Sequence, residues 1–215
     1  MRLRKVMLSI VLDLEHYIKV RILNIIENTS KDGYTEIEEY ISALKSKDEY
    51  DNLKIELSKS SKSTYCGEMA QKYSDNYPVW VFIEIIPFGR LVNFYMFLAN
   101  KIGNKKMIDE AYLLKNVREL RNACAHNNCI LNDLKTGTAT HKANYNVLKE
   151  LSNTSMSNTR ISKRMSNVRM QQIITMLYLS KRFVTSEGVL QYHCNMLNEL
   201  KNRIEHHIDL SLIHI

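Results

Sequence analysis

The chain has 215 residues, of which 45% are hydrophobic and 25% are charged, and this is the composition of a globular protein rather than a disordered one. No apolar run approaches the length of a membrane span, and the four cysteines match no disulfide framework, so a membrane protein and a disulfide-stapled secreted domain are excluded. A cytoplasmic protein without a metal or a cofactor is expected.

The net charge of +7 is unevenly distributed along the chain. Residues 151–186 contain no acidic side chain and six basic ones: Arg160, Lys163, Arg164, Arg169, Lys181 and Arg182. A local excess of positive charge attracts a polyanion, so the first four of these residues are predicted to bind RNA. A solvated basic surface without a ligand is the alternative.

An all-α fold is predicted, because only six glycines and two prolines occur and long amphipathic stretches fill the chain. One domain is expected over residues 1–215, with N-terminal helices at 1–76, a core at 77–133 and a basic loop with closing helices at 134–215. Helices are predicted at 2–27, 35–44, 49–57, 65–73, 88–99, 104–126, 143–151, 168–183 and 186–210.

The first helix is amphipathic, and acidic residues interrupt its apolar run, so it is not expected to be an export signal. Glu15 and Lys19 are four residues apart and are expected to pair on its surface. Thr35 and Glu38 have the spacing of a capping box for the second helix. The polar stretch 58–64 is predicted to be a mobile loop.

Residues 77–100 form the most apolar stretch, with a helix that begins at Pro78 and ends or kinks at Pro87. Trp80 is expected in the core. Glu84 lies among apolar residues, and a buried carboxylate needs a partner, so it is expected to brace a site rather than perform chemistry. Three arginines are candidate partners: Arg21, Arg90 and Arg121.

The central helix, 104–126, carries an apolar stripe at helical spacing: Leu113, Val117, Leu120 and Cys124. Asn122 and His126 lie one turn apart on the opposite side, and Arg121 lies on the flank. Arg121 and His126 are offset by about 140° on an ideal helix. Three alternatives could bring them together: a wrapped arginine side chain, a deformed helix, or a second subunit across a two-fold axis.

These three side chains suit metal-free cleavage of RNA. An imidazole moves protons near neutral pH, and a guanidinium binds phosphate oxygens in a fork and stabilises charge that develops on them. Cys124, His126 and Cys129 also form C-x-H-x2-C, but a zinc site is not expected, because Cys124 lies on the core stripe and no second ligand pair is nearby. The polar, basic stretch 152–167 is predicted to be a loop that follows an RNA backbone.

Three segments carry a resemblance to a known family. RNACAH at 121–126 resembles the R-x4-H signature of HEPN ribonucleases, and VRELRNACAHNNCILN at 117–132 resembles the signature of Abi-like proteins of the abortive-infection group. Trp80, Glu84, Phe88 and Gly89 resemble the W-x-x-x-E-x-x-x-F-G element of that family, and LEHYIKVRI at 14–22 resembles its E-x-x-x-(K/R) helix.

The resemblance implies an HEPN-like helical bundle and a metal-independent endoribonuclease that acts in phage defence. It implies that His126 is the general acid or base, Arg121 the phosphate clamp, and Asn122 the residue that positions His126 or the substrate, with Asn127 on a polar rim. It also implies a homodimer that binds RNA. A non-catalytic RNA-binding or partner-binding scaffold is the alternative.

Overall fold

The computed structural model describes residues 3–29 and 32–206. These residues form α-helices and no strand, so the all-α prediction is confirmed. The helices are α1 (Leu3–Thr29), α2 (Thr35–Lys45), α3 (Tyr50–Ser61), α4 (Gly67–Lys72), α5 (Val79–Ile85), α6 (Phe88–Ile102), α7 (Lys105–Ala125), α8 (Tyr145–Ser152), α9 (Asn158–Met165), α10 (Val168–Phe183) and α11 (Glu187–His206). In the described part of the chain, no helix is long and apolar enough to span a bilayer. Residues 207–210 of the last predicted helix lie outside the described residues.

The chain divides into two compact units. The first unit consists of Met1–Glu15 with Leu113–Ile215, and the second of His16–Tyr112. Both boundaries fall inside long helices, α1 and α7. The predicted single domain, with divisions at residues 76 and 133, stays a prediction.

The second unit is built around the aromatic side chains of α5 and α6. Pro78 and Pro87 precede these two helices, where a proline costs no hydrogen bond, so the predicted helix break is confirmed. Phe82 and Phe94 are fully buried and meet edge to face, and Tyr40 of α2 packs on both. Trp80, however, is 47% exposed and packs against Tyr73 at the surface, so its predicted core position is wrong.

Two local predictions in the second unit are also wrong. Thr35 is the first residue of α2 rather than its cap, and Asp32 instead accepts hydrogen bonds from the backbone N–H groups of Tyr34 and Thr35. The expected loop at 58–64 is helical as far as Ser61. Ser60 in this segment donates to the carbonyl of Ile85, so a tertiary contact holds the part that polar composition assigned to a mobile loop.

In the first unit, α8, α9 and α10 pack against one another. The stretch predicted as a loop, 152–167, contains α9, so that prediction is wrong over 158–165. Ile161 and Met165 are buried on one side of α9, while its basic residues are exposed, and this amphipathic pattern explains why a strongly polar segment is helical. The predicted bounds of α10 are confirmed.

Candidate active site

Helix α7 buries one stripe and presents polar groups elsewhere. Asn122 is half-buried and His126 is exposed, so both lie outside the core stripe as predicted. The stripe residues are all buried: Leu113, Val117, Leu120 and Cys124. Helical periodicity was therefore sufficient to assign the two sides of this helix.

The chain turns sharply at the end of α7. The backbone N–H of His126 still donates to the carbonyl of Asn122 at 2.9 Å, so helical hydrogen bonding continues as far as the histidine. Asn127 then adopts a left-handed conformation with φ of 58°. The N–H groups of Asn127 and Asn128 return to the carbonyls of Cys124 and Ala123, which is the Schellman arrangement that closes a helix. The deformed-helix alternative for pairing Arg121 with His126 is therefore wrong, and the other two stay open.

Arg4 of α1 secures this turn. Its Nη1 atom donates to the carbonyl oxygen of Asn127 at 2.9 Å and to that of Asn128 at 3.3 Å. Carbonyls at a helix C-terminus lack intrahelical partners and attract positive charge. Arg4 thus holds the backbone directly after His126, a role for which the sequence contained no recognisable signal.

A polar cavity of about 350 Å³ opens beside the end of α7, entirely within the first unit. Asn122 and His126 line it together, with further side chains from the segment after α7 and from α10. The other polar lining residues are Glu119, Asn128, Cys129, Asn132, Arg169 and Gln172. The cavity thus combines an imidazole with a guanidinium, but the guanidinium is that of Arg169.

Arg121 does not line this cavity. Its Nη2 atom lies 3.5 Å from a carboxylate oxygen of Glu15, which is itself largely buried. The Nε atom of Arg121 is also buried and has no hydrogen-bond partner among the described residues. Arg121 is therefore held by α1 inside the first unit, with one donor unused.

Glu15 and Lys19 do not pair with each other as predicted. Glu15 contacts Arg121, while Lys19 contacts Glu84 at 2.8 Å within the second unit. The side chain of Glu84 is 53% exposed and pairs with Lys19, so its predicted burial and its three candidate arginine partners were wrong. Because α5 is a helix, its residues point in different directions, and Glu84 faces outward although its neighbours in sequence are buried. A supporting role for Glu84 stays a prediction.

The remaining predicted residues divide between two places. Arg160, Lys163 and Arg164 are exposed on α9, whereas Arg169 is half-buried and lines the cavity. Asn127 is exposed and contributes its backbone to the turn, while Asn128 and Asn132 line the cavity. That Asn127 forms part of a polar rim, and that these basic residues bind RNA, stay predictions. The sequence analysis did not predict that Gln172 lines the cavity. Gln172 lies one helical turn after Arg169, and this spacing could have indicated that the two side chains share one side of the helix.

The cysteines near His126 differ in accessibility. Cys129 is exposed, whereas Cys124 is buried in the core stripe. Burial raises the pKa of the Cys124 thiol, and the positive charge of Arg4 offsets part of that effect. Metal ligation requires the thiolate, which this environment disfavours. In the described ranges no group of three His, Cys, Asp or Glu side chains could hold a metal ion.

His193 of α11 forms a second hydrogen-bonded arrangement. Its Nε2 lies 2.7 Å from a carboxylate oxygen of Asp13, and its Nδ1 lies 3.2 Å from Oγ of Ser180. The order resembles that of a Ser-His-Asp triad, but the hydroxyl of Ser180 is buried and the carboxylate is the more exposed end. A substrate could not reach the serine, so this arrangement ties α1, α10 and α11 together.

A larger cavity of about 860 Å³ lies elsewhere in the first unit, among residues 137–166. Lys142, Tyr145 and Lys149 are among the side chains that line it. It contains none of the residues predicted to perform chemistry, so size does not identify the site here. The smaller cavity combines the titratable group, the cation and the amides, and it is the candidate active site.

The fold and the site together define a class of protein. It is an all-helical protein with a polar cavity at the C-terminus of a helix, and an imidazole lines that cavity. The family model described as Abi-like protein matches residues 1–132, which is more than half of the chain. The chain belongs to the Abi-like protein family, which confirms the resemblance to Abi-like proteins, and membership suggests a part in abortive-infection phage defence and is compatible with an enzyme. The resemblance to HEPN ribonucleases stays a prediction. No curated protein and no solved structure matches the chain.

Proposed function

We propose that the chain is a HEPN-type endoribonuclease that cleaves RNA without a metal ion, in the cytoplasm, during abortive infection by phage. The observation that carries the proposal is that Asn122 and His126, from the motif on which the family resemblance rests, line one polar cavity. An exposed imidazole at a cavity of this kind is where a general acid or base is needed.

The proposed reaction is an internal transesterification. The ribose 2′-oxygen forms a bond to the adjacent phosphorus and loses its proton, while the bond from phosphorus to the 5′-oxygen breaks and that oxygen gains a proton. The products are a 2′,3′-cyclic phosphate and a 5′-hydroxyl. His126 takes or gives one of these protons, and DNA is not cleaved because it lacks the 2′-hydroxyl.

Asn122 lies where it can assist this proton transfer. It lies one turn before His126 and lines the same cavity, so its amide can orient the ring or bind a substrate hydroxyl. Arg121 is the proposed phosphate clamp, and it can act in two ways. It can leave Glu15 when RNA binds, or it can reach the cavity of a second copy in a homodimer with two-fold symmetry.

The test is cleavage of a labelled single-stranded RNA by purified protein in the presence of a chelator. His126→Ala should abolish cleavage, and because one proton-transfer group supplies about 10²–10⁴-fold in rate, the loss should be at least about 100-fold. His16→Ala is the matched control, since His16 is an exposed histidine on α1 that does not line the cavity, and it should keep full activity.

Three results would contradict the proposal of an internal transesterification that depends on His126. The first is equal activity of His126→Ala and wild type. The second is cleavage of a 2′-O-methylated copy of the RNA, which cannot undergo the internal attack. The third is tight RNA binding by wild-type protein without cleavage, in extracts of phage-infected as well as uninfected cells, and it would support the scaffold alternative.

A further inference from the structure

The cation that shares the cavity with His126 comes from α10. Of the described residues that line the cavity, Arg169 is the one lysine or arginine. The acidic lining residue, Glu119, is exposed and accepts from the guanidinium of Arg118 at 3.0 Å, so its charge is offset. An anionic group that enters the cavity therefore meets the positive charge of Arg169.

A side-chain contact and the capped start of its helix position this arginine. Its Nη1 atom donates to Oε1 of Gln172, one turn further along α10, at 3.4 Å. Asn167 caps α10 through its Oδ1, and its Nδ2 donates to the carbonyls of Asp133 and Lys135 at 3.0 and 2.7 Å. The buried Asn167 thus joins the start of α10 to the segment that follows Asn132, and residues close in sequence to the two ends of this connection, Arg169 and Asn132, line the cavity.

The other polar side chains that line the cavity suit a nucleotide. The four amide side chains can each donate and accept hydrogen bonds, as the edges of bases and ribose hydroxyls require: Asn122, Asn128, Asn132 and Gln172. A volume of about 350 Å³ is near the lower end of ligand cavities, which are about 300–1,000 Å³. The cavity therefore matches one nucleotide of a single strand and is too small for a duplex.

We propose that Arg169 binds the phosphodiester of a single-stranded RNA nucleotide seated in this cavity, beside His126 of the same chain. This inference rests on the proposed function and adds to it a phosphate-binding residue that lies outside the matched residues 1–132. A guanidinium suits the role because its fork binds two phosphate oxygens at once, which an ammonium group cannot do.

The first experiment measures single-turnover cleavage of the labelled RNA at saturating protein. Arg169→Gln should lower the rate constant at saturation by about 100-fold or more, as the loss of one donor to developing charge does elsewhere. Arg169→Lys should recover little of this rate. Arg203→Gln and Arg203→Lys are matched controls, because Arg203 is an exposed arginine on α11 outside the cavity, and they should leave the rate at saturation unchanged.

Equal behaviour of the Arg169 and Arg203 variants would overturn the inference and reduce Arg169 to one surface charge among others. Circular dichroism and thermal unfolding establish that each variant is folded. If Arg169→Gln is destabilised, the comparison is made with Arg169→Lys, which conserves the charge.

A second experiment separates this inference from the nuclease proposal, because it needs no cleavage. The probe is a dinucleoside monophosphate with a 2′-O-methyl group, followed through the His126 ring resonances, which are assigned by their absence in His126→Ala. The probe should shift these resonances in wild type and in Arg203→Gln. In Arg169→Gln its affinity should fall about tenfold or more, as for the loss of a charge-assisted hydrogen bond.

If wild-type protein never cleaves RNA but this pattern of binding holds, the nuclease proposal fails and the nucleotide site stands. If the His126 resonances do not move, or if Arg169→Gln binds as tightly as Arg203→Gln, the inference on Arg169 fails whatever the outcome of the cleavage assay.

Discussion

Asn127 controls how the chain leaves the candidate active site. Its left-handed conformation follows His126 directly, and the turn that it forms accepts hydrogen bonds from Arg4. Glycine adopts this conformation without steric cost and asparagine adopts it more readily than other residues, whereas a Cβ-bearing alanine is strained there. The direction of the backbone after His126 therefore depends on one side chain that performs no chemistry.

Glycine and alanine at position 127 should have different effects on stability. Asn127→Ala should lower the free energy of unfolding in urea by about 1 kcal/mol, while Asn127→Gly should leave it unchanged or slightly raised. The control is Asn153, which ends α8 with φ of −80°, where alanine is tolerated and glycine has no advantage. Equal effects of alanine and glycine at position 127 would contradict this account of the turn.

At the scale of elements, one ion pair joins α3 to α6. Arg90 is buried, and its Nε and Nη2 atoms donate to both carboxylate oxygens of Glu56 at 2.7 and 3.2 Å. Burial lowers the pKa of Arg90, but the hydrogen bonds with Glu56 and the proximity of Tyr40 outweigh it and leave the pKa above its ordinary value. The guanidinium therefore stays charged at any pH at which the protein folds, and it depends on its partner.

Removal of the partner charge should be costly for this reason. Glu56→Gln keeps the volume of the side chain but leaves a buried cation uncompensated, and we expect about 3 kcal/mol of destabilisation in chemical unfolding. The matched control is Glu150→Gln, because Glu150 pairs with Lys181 at an exposed site, and there the loss should be below about 1 kcal/mol. Similar losses at the two sites would show that the Arg90 pair does not have the energetics of a buried ion pair.

At the scale of the whole molecule, charge is segregated along the chain. Six of the seven net positive charges fall within residues 151–186, and α9 exposes three of them: Arg160, Lys163 and Arg164. Each phosphate that a basic side chain neutralises releases condensed counterions, so RNA affinity falls as salt rises. The proposed division of labour is that α9 attracts the strand while Arg169 binds a phosphate in the cavity.

Salt dependence tests this division. Conversion of the three α9 residues to glutamine should reduce the slope of log affinity against log salt by about 2, since each contact with a single strand contributes about 0.7. The control variant changes three exposed lysines of the second unit to glutamine: Lys47, Lys59 and Lys62. Its slope should equal that of wild type, and a slope that falls equally in both variants would assign binding to net charge alone.

The sequence alone determined the all-α class, most of the helices and the two sides of α7. Helical periodicity is a local property, so the buried stripe through Val117 and Leu120 and the outward positions of Asn122 and His126 followed from spacing. Local rules failed where a tertiary contact outweighed composition, as at Ser60, and where an exposed position lay among buried neighbours, as at Glu84. Family membership was likewise readable from the chain, because its motifs are short and contiguous.

Only the tertiary structure decided which charged groups meet. Periodicity says which way a side chain points from its helix, but an ion pair also depends on which other helix packs there. That is why Arg121 is held by Glu15 of α1 and why the guanidinium in the cavity of His126 is that of Arg169 on α10. These partners are far apart in the chain, and no local pattern encodes the packing that brings them together.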